Sequence, residues 1–250
     1  MEVLTLSTST FIKDELIVTI GQFDGIHKAH QILINKAVLS AKEKSKKSAV
    51  ITFNPHIDTV LKGKKTSDYI IDFDSKVEIL NSLNVDYLLV IDFNKEVSKI
   101  SHTNFFKTYI NKLNIKEFVV GFDFSYGYLG IGKPCTIQSD YEKETIVTVV
   151  DKQESNEEKI GSLEIKKALN NGDIKTANLL LGYQFFMNMN VIKKDSSRIY
   201  LESGNLNILK NQCYNVLINN CEYILTKENQ TFIDNIDSSN LPNNLKVTFK

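Results

Sequence analysis

The chain alternates short apolar strands with amphipathic helices, and this alternation most constrains its fold. Residues 16–20 form a β-branched run that ends at Gly21, and residues 31–45 carry apolar side chains at helical spacing. The pattern predicts further strands at 48–53, 85–93, 116–124 and 145–150, and helices at 74–83, 101–113 and 161–181. Strands this continuously apolar are typical of a parallel sheet that helices cover on both faces. The sequence therefore predicts an α/β fold with a doubly wound parallel sheet.

The character of the sequence changes near Gly182. Beyond it come short β-like runs, such as NVLINN and EYILT, with many asparagines and no long helix. We therefore predict one α/β domain over residues 1–182 and a small β-rich tail over residues 183–250. A barrel needs enough strands to close, and the tail indicates about half of them. A partial sheet leaves edges that need covering, which favours a tail that packs on the first domain or forms a homo-oligomer.

Composition excludes several classes of partner. The chain has 30 Lys and Arg against 30 Asp and Glu, so its formal charge is zero. This balance disfavours binding to nucleic acid or to an anionic membrane, which needs a basic face. The N-terminal residues lack the pattern of a signal peptide, and no apolar run approaches the roughly 18 residues of a membrane span. The three cysteines are scattered, without disulfide or metal-ligand spacing. We expect a soluble, cytoplasmic protein.

The loop between the first strand and the first helix carries the most chemical information. Residues 21–30 read GQFDGIHKAH, in which Gly21 and Gly25 permit a tight turn. The N-terminus of the following helix offers N–H groups and a positive dipole to a phosphate. His27 and His30 are three residues apart, so they share a face in a helical turn. Two such imidazoles can donate hydrogen bonds to charge that develops during phosphoryl or nucleotidyl transfer.

Other interpretations of the loop fit less well. A dinucleotide-binding loop would need G-x-G-x-x-G, which is absent. A zinc site would need further Cys or His at close spacing, and His56 is the one nearby candidate. A pair of histidines on an arbitrary helix is most often ordinary surface or core, but the strand–turn–helix context favours a phosphate site.

The loop resembles the H-x-G-H nucleotidyltransferase signature, in the form G-x-F-D-G-x-H-x-G-H of prokaryotic bifunctional FAD synthetases (riboflavin kinase/FMN adenylyltransferases). Other segments resemble that family in the same order. They are Thr52–His56, Lys76 in a helix that has the form E-K-x-x-x-L in the family, Val85–Tyr87, and Phe118–Gly121 followed by Asp123 and Phe124. The resemblance covers about residues 15–182. It implies a Rossmann-like sheet of the H-x-G-H nucleotidyltransferase type.

The resemblance also implies a reaction and a set of site residues. The reaction is FMN adenylyltransfer, in which the FMN phosphate attacks the α-phosphorus of ATP, assisted by Mg²⁺, to give FAD and pyrophosphate. His27 and His30 would be the catalytic residues and would hold the ATP phosphates. The other implied ATP-binding residues are Gly21, Phe23, Asp24, Gly25, Ser162 and Lys166. The implied flavin-binding residues are Asn54, His56, Asp123 and Phe124. No protein ligand to the metal is implied.

The sequence departs from the family in both nucleotide motifs. Ala29 replaces the glycine of H-x-G-H. The second motif, I-S-S-T-R-I-R in the family, aligns with residues 160–166, where Gly161, Leu163 and Glu164 differ and Lys166 replaces an arginine. Lysine keeps the charge but loses the bidentate fork, and Glu164 brings a negative charge to a phosphate site. The alternative hypothesis is therefore a flavin- or nucleotide-binding regulatory protein of the same fold. A nucleotidyltransferase with another acceptor is less favoured, because of the F-D-G and T-F-x-P-H segments.

Family members usually continue into a riboflavin kinase module with the signature G-x-P-T-A-N. No such signature follows Gly182, so we predict a truncated module without riboflavin kinase activity. Several single residues have ordinary structural interpretations. We predict Lys76 to be solvated, His102 to be a surface residue, and Phe105, Phe106, Phe122 and Phe124 to belong to the core.

Overall fold

The computed structural model describes residues 1–65, 68–151, 161–195, 197–239 and 241–250. The chain forms two compact units. The first comprises Met1–Phe23, Ala29–Lys64 and Val77–Glu158, and the second comprises Asp24–Lys28, Lys65–Lys76 and Lys159–Lys250. The division of the chain at residue 182 stays a prediction, since residues 161–182 group with the C-terminal segment.

A six-stranded parallel sheet forms the first unit. Its strands are β1 (Glu2–Thr5), β2 (Glu15–Ile20), β3 (Lys47–Asn54), β4 (Tyr87–Asp92), β5 (Asn114–Gly121) and β6 (Ile146–Val150). They lie in the order β1-β4-β3-β2-β5-β6, and all neighbours are parallel. The order reverses between β2 and β5, where doubly wound sheets bind ligands beyond the carboxyl ends of the strands. The predicted α/β fold is confirmed, with β1 added; that strand is short and largely exposed, so it carries no apolar run.

Helices connect the strands of the sheet and lead into the C-terminal segment. They are α1 (Lys28–Glu43), α2 (Ile57–Lys62), α3 (Phe73–Ser82), α4 (His102–Phe105), α5 (Ile137–Asp140), α6 (Ser162–Asn171) and α7 (Ile174–Leu181). In place of the single helix predicted at 101–113, α4 ends at Phe105 and a π-helical turn follows at Phe106–Ile110. The segment predicted as helical at 161–181 divides into α6 and α7 at Gly172, whose φ of 77° is left-handed, and Asp173 then caps α7.

The apolar core of the first unit lies between the sheet and the α4 segment. Phe105 and Phe106 are buried there, as predicted, and pack against Phe118 and other buried strand residues. Burying each such side chain contributes about 1.5–3 kcal/mol. Phe124 is partly buried against the same core. The prediction for Phe122 is wrong: it is 50% exposed, because it follows the end of β5.

The C-terminal segment forms a closed antiparallel barrel of six strands. They are β7 (Phe186–Lys194), β8 (Arg198–Glu202), β9 (Cys213–Ile218), β10 (Cys221–Lys227), β11 (Thr231–Asp234) and β12 (Asn244–Phe249), in the order β10-β11-β8-β7-β12-β9. The β-rich character is confirmed, but the prediction of too few strands to close is wrong. Asn219 and Asn220 both have positive φ and join β9 to β10, as in a two-residue hairpin. These asparagines thus form the turn of a hairpin. Because the barrel is closed, the argument for a homo-oligomer from uncovered sheet edges no longer applies.

Two further expectations from the sequence concern the three cysteines and the possibility of a membrane-spanning helix. All three cysteines are free and exposed. Within the described ranges, no helix is long and apolar enough to cross a membrane.

Candidate active site

The loop after β2 has a constrained backbone. Phe23 and Ile26 have positive φ values of 50° and 37°, and Gly25 has a φ of 80°. Side chains other than glycine rarely adopt this conformation, and such strain is concentrated at functional segments. At Gly21, an added Cβ would lie 2.9 Å from the ring of Phe23, which is itself buried. The glycine therefore lets the Phe23 ring fold back against the end of β2.

The two histidines flank the start of α1. His27 directly precedes the helix, and His30 lies in its first turn. His27 is 5% exposed, and its burial lowers its pKa to about 4, although the negative charges of Asp24 and Glu164 oppose that shift. At neutral pH its imidazole is uncharged and can donate one hydrogen bond. His30 meets the Phe23 ring edge-on, with 5.2 Å between ring centroids.

The low pKa of His27 predicts a pH-dependent stability. In the unfolded chain this imidazole binds a proton near pH 6.5, but in the folded chain it does so only near pH 4. Between these values the unfolded state binds more protons, so acidification favours unfolding. We expect the free energy of unfolding to fall by about 2 kcal/mol between pH 7 and pH 5 through this group. Urea unfolding of His27→Gln should show a correspondingly smaller pH dependence, and an unchanged dependence would contradict the assignment.

Asp24 joins three segments of the second unit. Its carboxylate is 7% exposed, and its Oδ2 lies 2.7 Å from the ammonium of Lys166 on α6. Its Oδ1 accepts a hydrogen bond from the N–H of Ile70 at 2.9 Å. Its backbone carbonyl accepts one from the hydroxyl of Ser162 at 3.2 Å. The structure thus brings Asp24, Ser162 and Lys166 together, while Ile160 of the same motif lies outside the described residues.

Lys76 is part of the surroundings of Asp24, and the prediction that it is solvated is wrong. It is 6% exposed, and burial lowers its pKa to about 8, although the charge of Asp24 opposes the shift. On α3 it shares the buried face with Ile79 and Leu80, where apolar spacing predicts an apolar residue. Its position on the apolar face of α3 is the sequence signal that could have identified Lys76 as a buried residue.

A tyrosine that the sequence did not single out also fixes the loop. The Tyr183 hydroxyl donates a hydrogen bond of 2.7 Å to the carbonyl of Gly25. Burial raises the pKa of Tyr183 well above its usual range, so the phenol keeps its proton. An added Cβ at Gly25 would lie 2.9 Å from the side chain of Ile70. The segment that ends in His27 is therefore closely packed within the second unit.

The predicted flavin-side residues follow β3 and β5 in the first unit. Asn54 is exposed at the end of β3, and His56 caps α2 by accepting the N–H of Asp58 at its Nδ1 (3.1 Å). The side chain of Gln22 connects this segment to the loop after β2: it donates to the carbonyl of Phe53 and accepts from the N–H of Ile57, both at 3.2 Å.

The other two flavin-side residues come after β5. Asp123 is exposed, and the ring of Phe124 stacks on that of Tyr126 with 5.5 Å between centroids. The loops after β2 and β5 flank the point where the strand order reverses, which is the expected ligand position in such a sheet. Roles in flavin binding for these residues and for Asn54 and His56 stay predictions.

Comparison with known proteins identifies the family. The family model for FAD synthetase matches residues 10–164. The chain belongs to the FAD synthetase family. The predicted resemblance is thereby confirmed.

Curated relatives of this family extend the match. The chain is 33% identical over 210 residues to a bifunctional riboflavin kinase/FMN adenylyltransferase of Listeria monocytogenes, covering 84% of this chain and 67% of the relative. It is 37% identical over 180 residues to the Bacillus subtilis protein of that name, covering 72% of this chain and 57% of the relative. The match therefore spans less than two thirds of the Bacillus protein.

A solved structure shows the same fold across both units. A protein from Streptococcus pneumoniae, titled a macrolide-efflux protein, superposes with a TM-score of 0.85 at 21% identity. The superposition covers 100% of this chain and 89% of that one.

Two charged residues of the second motif, Glu164 and Lys166, interact with the loop that precedes α1. The ammonium of Lys166 pairs with the carboxylate of Asp24 and lies 5.3 Å from the centroid of the Tyr69 ring. Glu164 is partly exposed, and its charge acts on His27. In this motif the positive charge of Lys166 is balanced by a buried carboxylate of the first motif.

Proposed function

We propose that this member of the FAD synthetase family is an FMN adenylyltransferase that transfers AMP from ATP to FMN and has no riboflavin kinase activity. The observation that carries the proposal is the loop with His27 and His30, which connects β2 to α1 beside the reversal of strand order. The products are FAD and pyrophosphate.

The proposed reaction is a direct displacement. A phosphate oxygen of FMN bonds to the α-phosphorus of ATP, while the bond from that phosphorus to the bridging oxygen breaks and pyrophosphate leaves. His27, uncharged at neutral pH, donates a hydrogen bond to the phosphates without adding a full charge. His30 donates a second from the first turn of α1. Preorganised donors of this kind stabilise the charge that builds up on the transferring and leaving groups.

Other residues bind the two substrates in this proposal. The N-terminus of α1 directs the positive end of its helix dipole toward the ATP phosphates, and Gly21, Phe23 and Gly25 shape the loop around the nucleotide. Lys166 contributes positive charge from α6, and Ser162 holds the loop through Asp24. The flavin side is assigned to Asn54, His56, Asp123 and Phe124.

Magnesium is proposed to arrive with ATP. Among the described residues, no group of three His, Cys, Asp or Glu side chains is placed to hold a metal ion. The nearby carboxylate of Asp24 is occupied by Lys166 and Ile70. Mg²⁺ is commonly bound through substrate phosphates and water with few protein ligands, so the proposed substrate is MgATP.

Substitution of Lys166 tests its role in ATP binding. Lys166→Gln keeps a hydrogen-bond donor toward Asp24 but removes the charge, so we expect KM for ATP to rise about tenfold, as for the loss of a charged hydrogen bond. Lys166→Arg, which restores the residue type of the family, should stay within about twofold of wild type. Steady-state FAD formation measures both, with Lys167→Gln, at an exposed neighbouring position, as the control. An unchanged KM in Lys166→Gln would exclude this role.

A second function is favoured by the charges of the second motif. The Glu164 carboxylate acts on His27, and Asp24 balances Lys166. Both features weaken the positive potential that phosphates need, as in a regulatory protein that binds flavin or nucleotide without catalysis.

One experiment separates these functions. The pure chain is incubated with MgATP and either FMN or riboflavin, in air and with the flavin chemically reduced, and products are separated chromatographically. FAD from FMN, with no FMN from riboflavin, supports the adenylyltransferase. Binding of ATP and FMN without FAD supports the regulatory protein. FMN made from riboflavin contradicts the proposed loss of kinase activity.

A further inference from the structure

A polar cluster in the first unit has no role in the chemistry proposed above. It is centred on Asp140, the last residue of α5, whose carboxylate is 5% exposed. Its Oδ2 lies 2.6 Å from Nδ1 of His102 and accepts the hydroxyl of Tyr126, also at 2.6 Å. Its Oδ1 accepts the hydroxyl of Thr103 at 3.3 Å. The prediction that His102 is a plain surface residue is wrong, since it is tied to a buried carboxylate.

The cluster anchors the loop that follows β5, residues 122–132, which we call the post-β5 loop. Within it, the backbones of Tyr126 and Gly132 exchange two hydrogen bonds, of 3.1 and 3.0 Å. The N–H of Tyr128 donates to the carbonyl of Ile100 at 2.7 Å, just before α4.

Two glycines allow this loop to lie directly on His102. An added Cβ at Gly127 would lie 2.5 Å from the His102 backbone. At Gly132 it would lie 2.7 Å from the Tyr126 ring and 2.8 Å from Cβ of His102. No side chain fits at these distances, so the loop and the start of α4 are in direct backbone contact.

The anchored tyrosine sets the position of a predicted flavin-side residue. The rings of Tyr126 and Phe124 stack, with 20° between their planes. Burial and the Asp140 carboxylate raise the pKa of Tyr126 well above its usual range, so its hydroxyl remains a donor. Hydrogen bonds to a buried carboxylate are strong and costly to break. Without them the loop, which exposes Leu129 and Ile131, would lose its attachment to the buried Asp140 carboxylate.

We propose that His102 and Asp140 are positioning residues for flavin binding, which hold Tyr126 and through it Phe124. The inference rests on the proposed function, because it takes the flavin to lie against the loop after β5. It assigns no contact between His102 and the reacting atoms.

The test uses the full chain and measures the dissociation constant of FMN by quenching of its fluorescence, together with KM for ATP. His102→Ala and Tyr126→Phe each remove one bond to Asp140 and should weaken FMN binding about five- to tenfold, while KM for ATP changes less than twofold. His102→Asn offers an amide N–H near the place of Nδ1 and should restore most of the affinity. Asn104→Ala, at an exposed position of α4, is the control.

The outcomes separate this inference from the proposed function. Unchanged FMN affinity in His102→Ala and Tyr126→Phe overturns the inference, even when the wild type makes FAD. An equal loss of ATP and FMN binding with a lower melting temperature also overturns it, since that is general destabilisation. A wild type that binds FMN but makes no FAD contradicts the proposed function and leaves the inference standing when the variants show the FMN-specific loss. A wild type that does not bind FMN overturns both.

Discussion

Replacing His30 with alanine should lower the rate of FAD formation by at least about 100-fold, the usual cost of losing one preorganised donor to a transition state. His30 lies in the first turn of α1, where the helix N-terminus already favours phosphate. It is partly exposed and packs edge-on against Phe23, so the variant should still fold. The loss should appear mainly in kcat, because the charge it stabilises develops as pyrophosphate leaves.

The control for this variant lies on the same helix. Asn35→Ala changes an exposed residue of α1 and should leave the rate of FAD formation within about twofold of wild type. The melting temperatures of both variants should match wild type within a few degrees. If His30→Ala keeps more than about a tenth of the wild-type kcat, the imidazole does not stabilise the transition state as a hydrogen-bond donor.

Replacing Asp24 with alanine should have the largest effect on stability. The carboxylate is buried, pairs with Lys166 at 2.7 Å and faces the charge of the buried Lys76. Its removal leaves the ammonium of Lys166 without its ion-pair partner and the N–H of Ile70 without its acceptor. Breaking a buried ion pair in this way costs about 3–5 kcal/mol. Urea unfolding at pH 7 measures the loss.

A surface pair of the same chemistry provides the control. Lys193 and Asp195 interact at 3.2 Å with side chains 62% and 43% exposed. Exposed pairs contribute less than about 1 kcal/mol, so Asp195→Ala should have a small effect. A loss below about 1 kcal/mol in Asp24→Ala would show that Lys76 and Lys166 do not depend on this carboxylate.

Local patterns predicted the sheet and the loop after β2 because both depend on short-range features. Buried strands such as β2 and β4 each carry a run of three or more apolar residues, and the spacing of His27 and His30 is visible within ten residues. The barrel was missed as a closed structure because strands such as β9 and β12 alternate buried with exposed residues and carry no long apolar run. Its closure depends on β12 pairing with both β7 and β9, which no local pattern reports.

The remaining site residues were hidden because they depend on contacts between distant segments. Tyr183 and Gly25, which are joined by a hydrogen bond, are 158 positions apart in the sequence, and His102 and Asp140 are 38 positions apart. Lys76 was misjudged for another reason: a lysine on a helix is usually solvated, and only its place on the apolar face of α3 indicates burial. Long-range hydrogen bonds of this kind are set by the fold, so they become visible only in the structure.

The most direct test of the central claim measures FAD and pyrophosphate together after the wild-type chain is incubated with MgATP and FMN. The proposed displacement predicts equal amounts of both products, with FMN either oxidised or reduced. It also predicts that both form at least about 100-fold more slowly in His30→Ala. Binding of ATP and FMN with neither product formed, under either flavin condition, would contradict the account.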